Sequence, residues 1–218
     1  RPQWQTIVGG SHAYLKAFRR AFKGELRIGA PARAISRDAH GITLSLDGAT
    51  PERYDAVVLA THADEALRLL QDPSDEERSA LGSWGYSKNR TVLHTDSRIL
   101  GPKRRLWAAW NYRRRVNART DSPVAITYYM NKLQRLKAQR DYFVTLNCNE
   151  DIDPRSILYE VEYTHPMYTP NSPVSQLALK NLNGTRNTYF CGAYMRYGFH
   201  EDGVISALNV ANQMGLSL

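Results

Sequence analysis

The C-terminal part of the chain combines glycines, a histidine and acidic residues in an order that suits ligand binding. Thr188–Cys191 is predicted to be a buried strand, Gly192–Gly203 a glycine-punctuated loop and Val204–Met214 a helix rich in small residues. A helix N-terminus presents N–H groups without intrahelical acceptors and the positive end of the helix dipole, so it can hold an anionic or electron-rich group. The alternative that Asp202 caps an ordinary glycine-rich turn stays open.

Three other kinds of site receive little support from the residues. His200-Glu201-Asp202 are adjacent, and adjacent ligands rarely close one metal coordination sphere, so no metal site is expected. The Gly-x-Ser-x-Gly pattern of serine hydrolases does not occur. The Gly-x-Gly-x-x-Gly pattern, which seats a pyrophosphate on a helix N-terminus, does not occur either.

The composition is that of a globular chain with a positive charge. The 218 residues are 42% hydrophobic, which is enough for one large domain or two interleaved small ones. Lys and Arg number 29 against 21 Asp and Glu, and the net charge of +8 could attract nucleic acid, anionic lipid or an acidic cofactor. Cys148 and Cys191 are expected to be free thiols in a reducing cytoplasm. No apolar run approaches the roughly 20 residues of a membrane-spanning helix.

The elements that must position the C-terminal segment begin in the first 80 residues. Tyr54–Ala60 is an unbroken apolar and β-branched run, typical of a central strand that is covered on both faces. Ser11 is the expected N-cap of a helix that follows Gly9-Gly10. The predicted elements are a helix to about Phe22, strands at Leu26–Ile28, Ala32–Ser36, Ile42–Leu46 and Tyr54–Ala60, and a helix through Leu70.

From about Leu81 to Pro173 the composition shifts towards Trp, Tyr, Arg and Asn, which predicts a second, mostly antiparallel lobe. Five aromatic residues there could line an apolar substrate cavity, although aromatic strand residues more often belong to a core. They are Trp107, Trp110, Tyr112, Tyr128 and Tyr129. The expected elements are strands at Thr91–Thr95, Leu106–Tyr112, Val124–Tyr129, Tyr142–Leu146 and Leu158–Tyr163, with a short helix near Asn131–Ala138.

Three basic runs lie near these aromatic residues: Lys103–Arg105, Arg113–Arg115 and the segment from Lys132 to Arg140. Basic side chains beside aromatic ones are the general profile of a nucleic-acid binder. A solvated loop or a docking face for anionic lipid explains the runs as well. Because no recognisable nucleic-acid-binding module accompanies the charge, nucleic acid is not the expected partner, and peripheral membrane contact stays open.

The C-terminal segment resembles the FAD motif of the flavin-containing amine oxidase superfamily, which includes monoamine oxidases, protoporphyrinogen oxidase and phytoene desaturases. It is most similar to bacterial proteins described only as NAD/FAD-binding or amine-oxidase-like. Gly192 matches the Phe-x-Gly-Asp/Glu strand end of the superfamily, whereas Ala193-Tyr194 replaces the acidic residue on the ribityl chain. Three further segments resemble the superfamily in the same order: Val8–Ser11, Gly29–Ile35 and Val57–Ala63.

The resemblance implies an FAD site and places residues in it. The first amides of the C-terminal helix would face the isoalloxazine ring, and the strand at Ala32 would pair its backbone with adenine. His200 would lie beside the flavin and relay a proton, although a hydrogen bond within its loop explains it equally well. His94 falls near the position of the amine oxidase lysine, so classical amine oxidation is not expected. The implied catalytic residues are His200 and His94, and the implied cofactor-binding residues are Gly9, Gly10, Ala32, Ala60, Thr61, Gly192, Ala193, Tyr194, Gly203 and Val204.

The resemblance implies an α/β fold in which a partial FAD-binding domain of the glutathione-reductase-like Rossmann type carries an inserted, mostly antiparallel substrate lobe. Residues 1–80 and 180–218 would form the partial FAD-binding domain, and residues 81–179 the substrate-binding lobe. The expected function is the C-terminal part of an FAD-dependent oxidoreductase, whose flavin accepts a hydride from a small organic substrate, with a lipid acyl chain as the hint. An N-terminal FAD-binding segment would be missing. The alternatives are a non-catalytic binding module left after loss of that segment, and a basic nucleic-acid-binding protein.

Overall fold

The computed structural model describes residues 5–113, 125–148 and 152–216. They form a mixed α/β fold in two units, which agrees with the predicted fold class at that level. The first unit comprises residues 1–25 and 88–165, and the second comprises residues 26–87 and 166–218. The predicted boundaries near residues 80 and 180 therefore differ from these, and residues 1–25 group with the lobe. Arg114, Arg115 and Val124, which also carried predictions, lie outside the described residues.

The second unit opens with a three-stranded antiparallel meander. β1 (Ala32–Asp38) pairs with β2 (Gly41–Leu46), which pairs with β3 (Glu52–Tyr54). Gly41 begins β2 with a φ of +131°, and a Cβ there would lie 2.5 Å from the carbonyl oxygen at the end of β3, so only glycine fits. The predicted strand at Leu26–Ile28 is not formed, and β3 completes the meander instead.

The second unit also contains a two-stranded parallel sheet, whose strands are far apart in the sequence. β4 (Val57–Leu59) pairs in parallel with β10 (Thr188–Phe190), so the carboxyl ends of both strands meet at one edge. The predicted strand Tyr54–Ala60 is divided between β3 and β4. Val58 is 42% exposed, so β4 is not covered on both faces within the described residues, contrary to the prediction.

The described residues of the second unit also form four α-helices: α2 (Ala63–Leu69), α3 (Asp75–Gly82), α5 (Ser172–Leu182) and α6 (His200–Gln213). The helix predicted through Leu70 corresponds to α2. The helix predicted at Val204–Met214 corresponds to α6, which begins earlier, at His200, so the last residues of the predicted loop are helical. Helices α3 and α5 were not predicted. The core that these elements share includes Ile35, Ile42, Leu59, Leu70, Leu81, Trp84, Leu179, Phe190 and Tyr194.

The guanidinium of Arg37 joins four segments of the second unit. The side chain is fully buried and donates to both carboxylate oxygens of Glu77, at 2.6 and 2.8 Å. It also donates to the carboxylate and the carbonyl of Asp72, at 3.1 and 3.0 Å, and to Thr188 Oγ1 at 3.3 Å. Glu77 at the same time accepts the N–H of Ser74, the N-cap of α3. Strand β1, the loop before α3, α3 itself and the start of β10 are thereby bonded to one another.

The first unit contains most of a five-stranded sheet. Its strands are β5 (Gly85–His94), β6 (Trp110–Arg113), β7 (Ala125–Tyr129), β8 (Phe143–Leu146) and β9 (Ile157–Met167), in the spatial order β6-β7-β8-β5-β9. The pairs β6–β7, β7–β8 and β5–β8 are antiparallel. The predicted helix at Asn131–Ala138 is shorter, since α4 spans only Met130–Leu133. Its continuation is a turn in which Arg135 has a φ of +52°.

Helix α1 (His12–Ala21) also belongs to the first unit and buries none of its side chains. Ser11 occupies the predicted N-cap position but makes no side-chain hydrogen bond there. Tyr14, Leu15 and Phe18 are each between 43% and 50% exposed. The amphipathic pattern therefore predicted the helix correctly, while these three apolar side chains are only about half buried among the described residues.

Replacing Arg37 with Met should lower the free energy of unfolding by about 3–5 kcal/mol, because Glu77 would keep a buried charge without its partner. The matched control is Arg53→Met, which breaks the exposed pair with Asp38 and should cost less than about 1 kcal/mol. Urea denaturation followed by circular dichroism measures both. Equal losses in the two variants would contradict a special role for the buried pair.

Candidate functional site

The carboxyl ends of β4 and β10 bring two predicted segments together. Ala60 and Thr61 follow β4, while Cys191 and Gly192 follow β10. The N–H of Cys191 donates to the carbonyl of Leu59 at 3.1 Å, which extends the parallel pairing by one residue. A Cβ on Gly192 would lie 3.6 Å from the carbonyl oxygen of Thr61. Ligands of parallel α/β sheets bind at an edge of this kind, outside the carboxyl ends of the strands.

The N-terminus of α6 joins the same edge. The N–H of Gly192 donates to Ser206 Oγ at 2.9 Å, and Ser206 Oγ donates to the carbonyl of Gly203 at 2.7 Å. A Cβ on Gly203 would meet only the backbone nitrogen of Ala193 within 4 Å, at 3.9 Å. The first turn of the helix is therefore close to Ala193, with no side chain between them.

Asp202 caps the N-terminus of this helix. It is 5% exposed, and its Oδ2 accepts the N–H groups of Phe199 and Tyr197 at 3.0 and 3.3 Å. Its Oδ1 is paired with Arg196 Nε at 3.1 Å. The alternative in which Asp202 serves as a cap is thus correct for this residue, and it coexists with the convergence of strand ends and helix N-terminus.

Tyr194 has a different place from the predicted one. Its side chain is 3% exposed and packs edge to face on Trp84, with ring centroids 5.5 Å apart. Burial raises the pKa of its phenol, and the hydroxyl has no hydrogen-bond partner among the described residues. A side chain turned into the core cannot contact a ligand at the strand ends, so only the backbone of Tyr194 remains available for the predicted role.

The other predicted residues of this group lie at the surface or in the first unit. His200 is the first residue of α6 and is exposed, and Val204, one turn later, is 53% exposed. Ala32 is exposed at the start of β1. Gly9 and Gly10 form the turn before α1, with φ values of +84° and +80° that favour glycine.

His94 lies in the core of the first unit with none of its surface exposed. Its Nδ1 accepts the N–H of Asp96 at 3.2 Å, so Nε2 carries the proton and donates to Thr145 Oγ1 at 2.8 Å. The hydroxyls of Thr145 and Thr127 are bonded at 3.0 Å, and the imidazole stacks on Phe143. Burial lowers the pKa of His94 to about 4. This placement favours a structural role over the predicted catalytic one, because both ring nitrogens are engaged inside the core.

The five aromatic residues expected to line a cavity divide between the two faces of the five-stranded sheet. Trp107 is 5% exposed and packs edge to face on Tyr129 in the core. Trp110 and Tyr128 are paired on the opposite face, with ring centroids 5.5 Å apart, and Tyr112 lies on the same face. Trp110 is 51% and Tyr112 64% exposed. Their half-buried cross-strand neighbours on this face are Leu93, Ile126, Val144 and Leu146.

Ser206 is the residue at the strand edge that the sequence analysis missed. The buried positions of α6 are Asp202, Ser206 and Val210, which recur every fourth residue. That spacing marks one face of a helix, but two of the three residues are polar, so a search for apolar periodicity passes over them.

Metal ligands and membrane-spanning helices were also sought in the described part of the chain. Within residues 5–113, 125–148 and 152–216, no group of three or more His, Cys, Asp or Glu residues could hold a metal ion. No helix in those ranges is long and apolar enough to cross a bilayer. Cys148 and Cys191 are both buried, and neither forms a disulfide with a described residue.

Residues 3–108 match the family model of flavin-containing amine oxidoreductases. No curated protein matches the chain by sequence. The match covers α1, the meander, β4, α2, α3 and β5, and ends before the C-terminal segment.

Solved structures with the same fold include three proteins with different names. The CLA-producing fatty acid isomerase from P. acnes has a TM-score of 0.68 at 12% identity, over 94% of this chain and 52% of its own. Reduced UDP-galactopyranose mutase has a TM-score of 0.65 at 14% identity, over 96% and 52%. Wild-type putrescine oxidase bound to putrescine has a TM-score of 0.59 at 11% identity, over 95% and 53%. At these identities the likeness shows the fold, and the chain spans about half the length of each structure.

The buried imidazole of His94 predicts a specific pH dependence of stability. Its pKa in the folded chain is about 4, below the value of roughly 6.5 for a free histidine, so the unfolded chain takes up a proton first as the pH falls. The contribution of neutral His94 to the free energy of unfolding, about 3 kcal/mol in all, is therefore fully present above about pH 6.5 and is lost as the pH falls towards 4.

The measurement is urea unfolding followed by tryptophan fluorescence between pH 4 and 7.5. The His94→Gln variant should lose this part of the pH dependence, whereas His40→Gln, at an exposed histidine, should keep it. A His94→Gln profile parallel to that of the wild type would show that His94 is not buried as a neutral group.

Proposed function

Because residues 3–108 match the family model of flavin-containing amine oxidoreductases, we propose that the chain belongs to this family and holds the isoalloxazine ring of FAD at the carboxyl ends of β4 and β10. The observation that carries this proposal is the convergence of Ala60-Thr61, Gly192-Ala193 and the first turn of α6 at one edge. FAD is the cofactor of the family, and when bound it supplies the group that accepts a hydride.

The residues at this edge fit the ring of such a cofactor. Ala60, Gly192, Ala193 and Gly203 have small side chains or none, so a planar group can approach the backbone closely. The N-terminus of α6 offers a positive dipole end to an electron-rich ring edge. Asp202 does not oppose this dipole with an unpaired charge, since its carboxylate is paired with Arg196.

The remainder of the cofactor would be held by a segment outside this sequence. The parallel pair of β4 and β10 would then belong to a larger Rossmann-type sheet, and the added segment would cover apolar side chains that the described residues leave open. These include Val58 on β4 at 42% exposure and Val204 on α6 at 53%. Burying such groups is favourable by about 25 cal/mol per Å² of apolar surface.

The whole protein would be an FAD-dependent oxidoreductase acting on an apolar substrate. The exposed sheet face with Trp110, Tyr112 and Tyr128 supports an apolar wall for that substrate. The name of the fatty acid isomerase is consistent with an acyl chain there. His200 is the preferred residue for proton transfer, because it is exposed on the first turn of α6 whereas His94 is buried.

Substitution of Gly203 tests the position of the ring. Gly203→Val would place a branched side chain beside the backbone nitrogen of Ala193 and should weaken flavin binding at least about tenfold, as judged by quenching of flavin fluorescence. Ala207→Val, at an exposed position one turn later on α6, should leave the affinity unchanged. If both variants bind flavin like the wild type, the ring does not lie at this edge.

Comparison of FAD with riboflavin tests the division of the cofactor between this chain and another segment. If the chain contacts mainly the ring, FAD should bind no more than about tenfold more tightly than riboflavin, because the sequence contains no pyrophosphate cradle. Titrations followed at 450 nm give both affinities. A preference for FAD of a hundredfold or more would show that the chain holds the nucleotide half by itself.

A further inference from the structure

Two of the basic runs meet in the first unit. Lys132 Nζ donates to the carbonyl of Trp107 at 2.9 Å, which brings the Lys132–Arg140 segment against the one that contains Lys103–Arg105. Arg104 donates to both carboxylate oxygens of Asp141, at 2.8 and 2.9 Å. The described segments 97–113 and 125–148 hold nine basic residues and a single acidic residue, Asp141. The surplus of +8 is thus concentrated in this part of the first unit.

An open cavity of about 470 Å³ lies between the two runs. This volume is within the range of roughly 300–1,000 Å³ that is usual for small-molecule sites. Most of the lining side chains are polar: Arg104, Tyr129, Asn131, Lys132, Gln139 and Asp141. A polar lining of this kind suits a hydrophilic ligand.

The hydrogen bonds around the cavity leave it rich in donors. Asp141 accepts from Arg104 and from the Tyr129 hydroxyl at 2.7 Å, and Asn131 is bonded on both sides of its amide to the backbone. Lys132 uses one of its three N–H groups on the Trp107 carbonyl. Since most acceptors are engaged and cationic donors remain, the groups in the cavity that can bind a ligand are mainly donors.

The net charge around the cavity is positive. Although burial works against its ionised form, the hydrogen bonds from Arg104 and Tyr129 lower the pKa of Asp141, so Asp141 carries one negative charge. Arg104 and Lys132 carry two positive charges in the lining, which leaves a net charge of +1. Arg105, Arg135, Lys137 and Arg140 are all exposed nearby in sequence and add positive charge to the surroundings.

We infer that this cavity binds the phosphate group of a small phosphorylated compound. A phosphate presents several acceptor oxygens and up to two negative charges, so it can take charged hydrogen bonds from Lys132 and Arg104 together. The volume of about 470 Å³ suits one compact group rather than an extended nucleic-acid backbone. The inference concerns only residues of the first unit and does not depend on the flavin proposal.

Isothermal titration calorimetry with inorganic phosphate at low ionic strength tests the inference on the full chain. Lys132→Gln should weaken phosphate binding about tenfold or more, because it removes a charged hydrogen bond from the cavity. Lys180→Gln, at an exposed lysine on α5 in the second unit, removes the same charge and should bind phosphate like the wild type. Asp141→Asn should tighten phosphate binding, because it removes the one acidic group of the lining.

Equal affinities of Lys132→Gln and Lys180→Gln for phosphate would overturn the inference. It would also be overturned if the wild type bound neither inorganic phosphate nor vesicles that contain phosphatidic acid. Vesicles of phosphatidylcholine with and without phosphatidic acid identify the source: retention that needs both phosphatidic acid and Lys132 assigns the phosphate to a lipid headgroup, and calorimetric binding alone assigns it to a soluble compound. Both results support the site. Retention of a single-stranded oligonucleotide that Lys132→Gln leaves intact, without any binding of phosphate, would assign the basic runs to nucleic acid instead.

Discussion

The second unit depends on one buried ion pair, that of Arg37 with Glu77. Few side chains are costlier to bury than an arginine, and here all five of its N–H donors lie within a shell of acceptors that only the folded chain assembles. Its bond to Thr188 reaches the first residue of β10, so the pairing of β10 with β4 is coupled to α3 and to the meander. The strand ends that form the candidate site are therefore positioned by a contact at the opposite end of β10.

The local sequence pattern was sufficient to predict those elements whose signal lies within one short stretch of residues. The alternation at Ile42–Leu46 and the apolar run at Thr188–Cys191 correspond to β2 and β10. Helix α3 was not predicted although Ser74 and Glu77 form a capping box, because acidic residues dominate its first turn and only one side contacts the core. Leu26–Ile28 shows the reverse error, since an apolar run becomes a strand only where a partner strand offers backbone groups to pair with.

The candidate site was predictable where it consists of backbone and unpredictable where it depends on side-chain direction. Gly192 and Gly203 were found because glycine is required for close approach, and the structure brings both to one edge. Sequence alone could not tell that Tyr194 turns inward, or that His94 is buried and His200 exposed. Each of these depends on tertiary packing. Burial, for example, disfavours the charged form of an imidazole, as it does at His94.

The two faces of the five-stranded sheet differ in the surroundings of their side chains. Alternate residues of a strand point to opposite faces, so Thr127 and Tyr129 face the core while Tyr128 and Ile126 face outward. Trp107 escapes that alternation because it follows a 3-10 turn and precedes the strand. An outward face bearing Trp, Tyr and aliphatic residues is unusual for a solvated sheet, since exposed apolar patches mark contact surfaces. The chemistry of that face, rather than any single residue on it, is what supports the proposal of an apolar substrate.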